Sequence, residues 1–396
     1  VLSDTYADEV CAVGRVAGLD RVGIASAEPF TETRRILDQR KAAGLAGSMQ
    51  FTYRNPARST DPAATLPGVA SLVVGARRYD RAVPDADADS SDRPMARVAR
   101  YATHDHYADL RNGLDAVARR LVDDGFTARV VLDDNALVDR AAAHRAGLGW
   151  YGKNANVLVP GIGSWVVLGS VLTDAPLPVA TAVEPDGCGP CRRCLDHCPT
   201  GAIIAPGVVD ARRCLAWLVQ AEGVFPVEHR VALGDRLYGC DDCQEVCPPS
   251  RSGSGEASTS RSDHSSVDLD LDLGHRVDLL DLLGADDDTL MARFGRWYIP
   301  RRQPRYLRRN ALVVLGNTAS LAAPGVRAAL DRALADADPM VRAHAVWAAR
   351  RLGYDPLPAL VLADADPQVR AELDRPVSPQ PAVSDPGSGS GSGDCR

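Results

Sequence analysis

The sequence predicts three folded units: a layered α/β domain, a small cysteine-bound domain and an all-α array of short helical repeats. Three observations lead there. Strand-like and helix-like segments alternate up to about residue 177. Eight of the ten cysteines fall between Cys188 and Cys247. "LADADPMVRA" (334–343) returns as "LADADPQVRA" (362–371), changed at one position. With 396 residues the chain has room for about two to four domains.

In the first unit (1–177), "RVGIAS" (21–26) and "ASLVVGARRY" (70–79) read as strands, with "TETRRILDQRKAAGLA" (31–46) as a helix between them. "YADLRNGLDAVARRLVDDG" (107–125) carries apolar residues at helical spacing and stops at Gly125. "FTARVVLDD" (126–134) reads as a strand, "NALVDRAAAHRAG" (135–147) as a helix ending on Gly147, and 156–174 as a two-stranded hairpin. Alternation of this kind favours helices layered on a sheet.

The second unit (178–249) holds the cysteines. From Ser250 the composition collapses to Ser, Gly and charge, which marks 250–275 as a flexible linker. In the third unit (276–375), an Asp-Pro turn feeding a helix recurs at a fixed interval. That suggests stacked helix pairs of HEAT type, with "PRYLRRNALVVLGN" (304–317) as an earlier helix of the kind. The array is short, so it is expected to dock on the rest of the chain. The tail 376–396 is expected to be disordered.

Composition narrows the function classes. With 45% hydrophobic and 24% charged residues the chain is globular. It lacks an apolar run of about 18 residues, so no membrane span is expected. Its first residues, from Val1, show neither an apolar signal core nor a twin arginine, and the expected compartment is the cytoplasm. A net charge of −7 argues against a whole-surface nucleic-acid binder but leaves room for a local basic patch. Cysteines in such a chain read as metal ligands rather than disulfides, with Cys11 and Cys395 incidental.

"CGPCRRCLDHCPTGAI" (188–203) has the spacing C-x₂-C-x₂-C-x₃-C-P, the bacterial ferredoxin run. "YGCDDCQEVCPP" supplies Cys240, Cys243 and Cys247, again before proline, and Cys214 lies between the two runs. Eight thiolates suffice for two [4Fe–4S] clusters, and in two-cluster ferredoxins the cysteine before proline serves the other cluster. The expected sets are therefore Cys188, Cys191, Cys194 and Cys247, and Cys198, Cys214, Cys240 and Cys243. The long gap between Cys214 and Cys240 implies an inserted helix, "LAWLVQAEG" (215–223). Zinc also uses C-x₂-C pairs, but would not need the Cys-Pro ending twice. Two adjacent clusters make a path for single electrons.

The stretch 133–177 is rich in glycine, at Gly147, Gly149, Gly152, Gly161 and Gly163, as if backbone approached a flat or bulky ligand. Asp133 sits where a strand meets a helix. Spacing alone allows Asp133 or Asp134 to be a helix N-cap, or Asp133 to be a working side chain.

Taken together, the cysteine runs and "DDNALVDRAAAHRAGLGWYGKN" (133–154) with "GSWVVLGSVLTDAPL" (163–177) resemble the epoxyqueuosine reductase family. "DARRC", "YGCDDCQEVCP" and "RNALVVLGN" match it too, so the resemblance spans about residues 15–365. It implies a cobalamin-binding N-terminal domain, with base-off cobalamin held against a ferredoxin-like domain. The clusters would reduce the cofactor to cob(I)alamin, which takes the epoxide oxygen from epoxyqueuosine in a tRNA anticodon. The implied proton donor is Asp133, and closure of the pocket by corrin and base would raise its pKa. Cobalamin contacts are implied at Arg58, Arg97, Lys153, Asn154, Ser164 and Asp241. A reductant such as flavodoxin or ferredoxin, and a monomer, complete the expectation. This chain departs from the family's "YA-x-G-x-DYH" with "YATHDHYADL" (101–110), from its proline with Ala136, and from its "CISYLTIE" with "CLAWLVQAEG". Those departures keep two alternatives open, a cobalamin-dependent reductase of a small molecule and an electron carrier without cobalamin.

"ARFGRWYIPRRQPRYLRRN" (292–310) interleaves arginines with Phe294, Trp297, Tyr298 and Tyr306. Arginine forks pair with phosphates and aromatics stack on unpaired bases, so Arg301, Arg302, Arg305 and Arg308 are candidate tRNA contacts. The competing reading is a solvated helix face over core aromatics.

Overall fold

A computed structural model of the chain describes residues 2–79, 93–252, 275–355 and 357–376. In chain order, the elements that build the site begin with α1 (Asp4–Val16), β1 (Arg21–Ser26), α2 (Thr31–Ala42), β2 (Ser71–Arg78), β3 (Met95–Val98) and α3 (His106–Asp123). They continue with β4 (Ala128–Leu132), α4 (Asp139–Arg145), β5 (Trp150–Tyr151), β6 (Val157–Leu158) and β7 (Val166–Thr173). Further on come β8 (Arg236–Tyr238), β9 (Arg276–Asp278), α5 (Arg305–Thr318), α6 (Val326–Leu334), α7 (Pro339–Arg351) and α8 (Pro367–Leu373).

The main sheet has the order β1-β2-β7-β4, every pair antiparallel. Its middle strands, β2 over 71–76 and β7, are buried nearly throughout because both faces are covered. Leu72, Val74 and Ala76 pack with Ala141 and Ala142 of α4, while Val73 packs with Leu110, Leu114 and Val117 of α3 and Val10 of α1. Side chains that alternate across a strand thus feed two separate cores. The hairpin expected over 156–174 does not form. Val157 and Leu158 pair with Tyr151 and Trp150, and β7 instead takes the middle of the main sheet. The helix expected from residue 135 starts only at Asp139.

A second sheet, β8-β3-β9, joins three regions that are far apart in sequence. β3 pairs parallel with β8 from the cysteine-rich segment and antiparallel with β9, which leads into the C-terminal helices. The core around it is continuous from Ala96 and Val98 through Leu237 to Leu312 and Val346. The ion pair of Arg230 with Glu372, at 2.8 Å and with side chains 0% and 3% exposed, ties the helix Val227–Leu233 to α8.

The two copies of the repeat fold alike at their starts. Asp338 and Asp366 accept the backbone N–H of Met340 and Gln368, each capping a helix whose first residue is proline. Arg342 of the first copy pairs with Asp364 of the second at 2.7 Å. Most of the expected linker and tail, with Cys395, lies outside the described residues; Ser250–Ser252 end the helix Pro248–Ser252. No helix among the described residues is long and apolar enough to cross a membrane.

Candidate active site

The eight clustered cysteines all carry free thiols. Cys194 is pushed up to about 11, first by burial and then by Cys247, Cys188 and Cys191. Burial also raises Cys247, whose thiol neighbours are Cys188 and Cys191. Cys243 is raised by burial and then by Cys240 and Cys214, and Cys214 by burial, with Cys198 a further neighbour. The thiols thus gather into two groups, each drawing on both cysteine runs. Burial makes Cys194, Cys214, Cys240, Cys243 and Cys247 resist ionising, because each thiolate would lack a countercharge. Iron supplies that charge, so the donor set fits two clusters. Cys198 Sγ also accepts the N–H of Ala202 at 3.1 Å.

The glycine-rich stretch grips this segment. Lys153 Nζ donates to the carbonyls of Gly189, at 2.5 Å, and Cys191, at 2.9 Å. Asn154 donates to the carbonyl of Cys243 at 3.3 Å. Ser164 Oγ lies 3.1 Å from Ser250 Oγ, and Trp165 Nε1 donates to the Ser250 carbonyl at 3.0 Å. A methyl group on Gly163 would sit 2.4 Å from Cα of Ser250, and one on Gly149 would sit 2.2 Å from the Leu158 carbonyl oxygen. These two glycines therefore admit the chain itself, where a ligand was expected. Lys153, Asn154 and Ser164 commit these polar atoms to protein partners and brace the cysteine segment. Arg97 likewise spends its guanidinium on Asp235 and Glu245, at 3.3 and 3.4 Å. Asp241 is buried, accepts from the N–H of Arg100 at 2.8 Å and from Gln244 at 3.0 Å, and burial pushes it up to about 6. Arg58 is exposed on the short helix Pro56–Ser59.

Asp133 ends β4 with φ of +49°, in the left-handed region that side chains other than glycine rarely occupy. It caps no helix: α4 begins six residues later, and Asp134 is the residue that accepts the N–H of Ala136. Strain of this kind persists only where the surroundings enforce it. The Asp133 carboxyl opens to solvent, yet the protein around it weakens its solvation, and with Asp134 and Asp105 this pushes it up to about 6. Its charge is felt by the phenols of Tyr101, Tyr107 and Tyr238.

Asp139 went unnoticed in the sequence. Its Oδ1 is buried without a hydrogen-bond partner, and burial, then Asp133 and Asp134, hold it well above the usual carboxylate range. Only its place at the start of α4, six residues from Asp133, hinted at this. Buried polar atoms of Arg97, Arg100 and Asn135 are also without partners. Such orphaned donors and acceptors suit a ligand rimmed with amides, as a corrin is.

The basic patch divides. Arg301 and Arg302 are exposed, at φ of +51° and +54°; Arg301 pairs with the exposed Glu222 at 2.9 Å and Arg302 donates to the Gly295 carbonyl at 3.0 Å. Arg305 pairs with Asp338 at 3.1 Å and Arg308 with Asp287 at 2.5 Å. Arg309 is buried and donates to the carbonyls of Leu218, Val219, Ala221 and Gly223. Phe294, Trp297 and Tyr306 are core residues, which corrects the expectation that they stack on bases; Tyr298 alone of the four is exposed.

Two sets of cysteine thiols and a strained carboxyl of high proton affinity in one chain define an iron–sulfur oxidoreductase. Residues 187–250 match the 4Fe-4S double cluster binding domain. The chain is 31% identical to the epoxyqueuosine reductase of Bacillus cereus, over 88% of this chain and 89% of that one. It is 35% identical to the epoxyqueuosine reductase of Xanthomonas campestris, over 88% and 96%. The crystal structure of an epoxyqueuosine reductase with an epoxyqueuosine-modified tRNA-Tyr stem loop superimposes with a TM-score of 0.81 at 27% identity, covering 93% of this chain and 97% of that one. The Streptococcus thermophilus enzyme gives 0.80 at 26% identity, covering 92% and 96%. The chain belongs to the epoxyqueuosine reductase family.

Proposed function

We propose that this chain reduces epoxyqueuosine to queuosine in tRNA, with two [4Fe–4S] clusters and cobalamin as cofactors. The observation that carries the reading is Asp133, held at positive φ with its carboxyl raised to about 6 and its charge acting on Tyr101, Tyr107 and Tyr238. Removing the oxygen as water takes two electrons and two protons. Asp133 is the residue placed to deliver a proton to that oxygen as the C–O bond breaks. The cofactor supplies the two-electron chemistry when bound, and the chain positions, desolvates and protonates. A structure of the Bacillus subtilis enzyme has its catalytic aspartate loop swung out of the active site. The strained, solvent-open end of β4 is where such a loop would move in this chain.

In this reading Cys188, Cys191, Cys194 and Cys247 hold one cluster and Cys198, Cys214, Cys240 and Cys243 the other. The neighbours Cys247 of Cys194 and Cys198 of Cys214 support it. Asp241, Arg97, Arg100 and Asn135, with the exposed Arg58, would hold the cofactor, whose cobalt would supply the two-electron chemistry. Residues 1–177 bind cobalamin and substrate, 178–249 carry electrons, and the capped Asp-Pro helices of 276–375 form a short HEAT-like array. Arg301 and Arg302 meet the anticodon arm's phosphates. The protein works as a cytoplasmic monomer fed by flavodoxin or ferredoxin. The test is single turnover on an epoxyqueuosine-modified stem loop with cobalamin and an artificial donor; queuosine must appear, and Asp133→Asn must abolish most of it.

A further inference from the structure

Within "YATHDHYADL", His104, His106 and Asp109 are given no part in the proposed reaction, yet they gather around one point. Their ligand atoms all lie within 4.8 Å of one another. His104 Nε2 is 3.3 Å from Asp109 Oδ2, and the rings of His104 and His106 meet edge to face, centroids 5.0 Å apart. The local fold explains the convergence. His106 and Asp109 are three apart in the first turn of α3 and share a face, while Asp105 caps the helix and turns His104 back over that turn. His106 is buried at 3% exposure against the ring of Tyr79, at 5.5 Å. A simple ion pair bracing the helix would need one imidazole; here a second, buried one is held against it.

We infer that His104, His106 and Asp109 bind a divalent transition-metal ion of the zinc type, with water completing its shell. Two imidazole nitrogens and one carboxylate suit zinc, cobalt, nickel or ferrous iron. They do not suit magnesium or calcium, which take oxygen ligands. Three protein ligands with a position left for water is the open form of zinc site. The start of a helix is its positive end and disfavours a cation; the carboxylates of Asp105 and Asp109 offset that. Arg77, the cation nearest in effect to Asp109, is engaged with the Gly18 carbonyl at 2.7 Å and with Asp20 at 3.5 Å. The ion would pin the turn that brings Asp105 and Tyr107 toward Asp133. This site stands whether or not the substrate is epoxyqueuosine.

The test uses the full chain with both clusters reconstituted, stripped of loose metal and dialysed against zinc. Metal analysis should find one zinc per chain beyond the iron, and X-ray absorption at the zinc edge should show nitrogen and oxygen neighbours only. His104→Gln and Asp109→Asn should each weaken zinc binding by more than about tenfold while keeping the iron. Zinc equally bound by the double variant, no bound zinc in the wild type, or sulfur in the zinc shell would each overturn the proposal. The absorption measurement on wild type decides the matter even if a variant folds poorly.

Discussion

Lys153 holds the carbonyl of Cys191 at 2.9 Å, and so ties the glycine-rich loop to the backbone between two cysteines. The ammonium also reaches Gly189, so its donors serve the cysteine loop. Lys153→Met should therefore loosen that loop. Anaerobic iron analysis is expected to fall from about eight per chain towards about four. Full iron with weakened cobalamin binding would return Lys153 to the cofactor.

Asp133 sets a pH dependence. Its folded pKa of about 6 lies above the ordinary 3.8, so the native state holds the proton more tightly than the unfolded chain does. Its contribution to stability is thus present below the ordinary value and lost as pH rises through about 6. A proton donor must be protonated, so the single-turnover rate should fall about tenfold per pH unit above that point. Asp133→Asn should lower the rate by about a hundred- to ten-thousand-fold and flatten the profile. Asparagine tolerates positive φ, so the melting temperature should hold or rise at neutral pH. A destabilised but active variant would make the carboxyl structural.

Arg230→Met should be costly. It leaves the buried Glu372 with only the partly exposed Arg375, a loss that approaches the about 3–5 kcal/mol of a broken buried pair, read as a drop in the denaturation midpoint. The double variant Arg230→Met, Glu372→Leu should recover much of it, because the buried carboxylate is then gone and Arg375, a third exposed, is left to water.

Arg301 and Arg302 are the arginines to remove from the basic patch, since they are its exposed pair and the Arg301–Glu222 contact is itself open to solvent, whereas Arg305 and Arg308 are half-buried against Asp338 and Asp287. Glycine is the replacement to use, because both residues sit at positive φ and glycine relieves that strain. The slope of log affinity for the stem loop against log salt should shrink by about 0.7–0.9 per arginine removed. Unchanged slopes would leave the pair as a solvated surface.

What the sequence determined by itself is whatever depends on near neighbours. The cysteine runs are legible because spacing of two or three residues is set by local backbone. α3 is legible because its apolar period and its end at Gly125 are local, and the Asp-Pro starts of α7 and α8 because a cap needs only the next two residues. Tertiary structure decided the rest. The sheet β8-β3-β9 is built from strands of three or four residues, too short to show a period, and its pairing depends on residues more than a hundred positions apart. Lys153, Asn154 and Ser164 show polar groups in sequence but not which partner takes them. Arg309 looks like its surface neighbours until four carbonyls from 218–223 close around it. The strain at Asp133 and the unpartnered carboxyl of Asp139 arise in the same way: burial and proximity are properties of the folded chain, and they set proton affinity where residue type alone cannot.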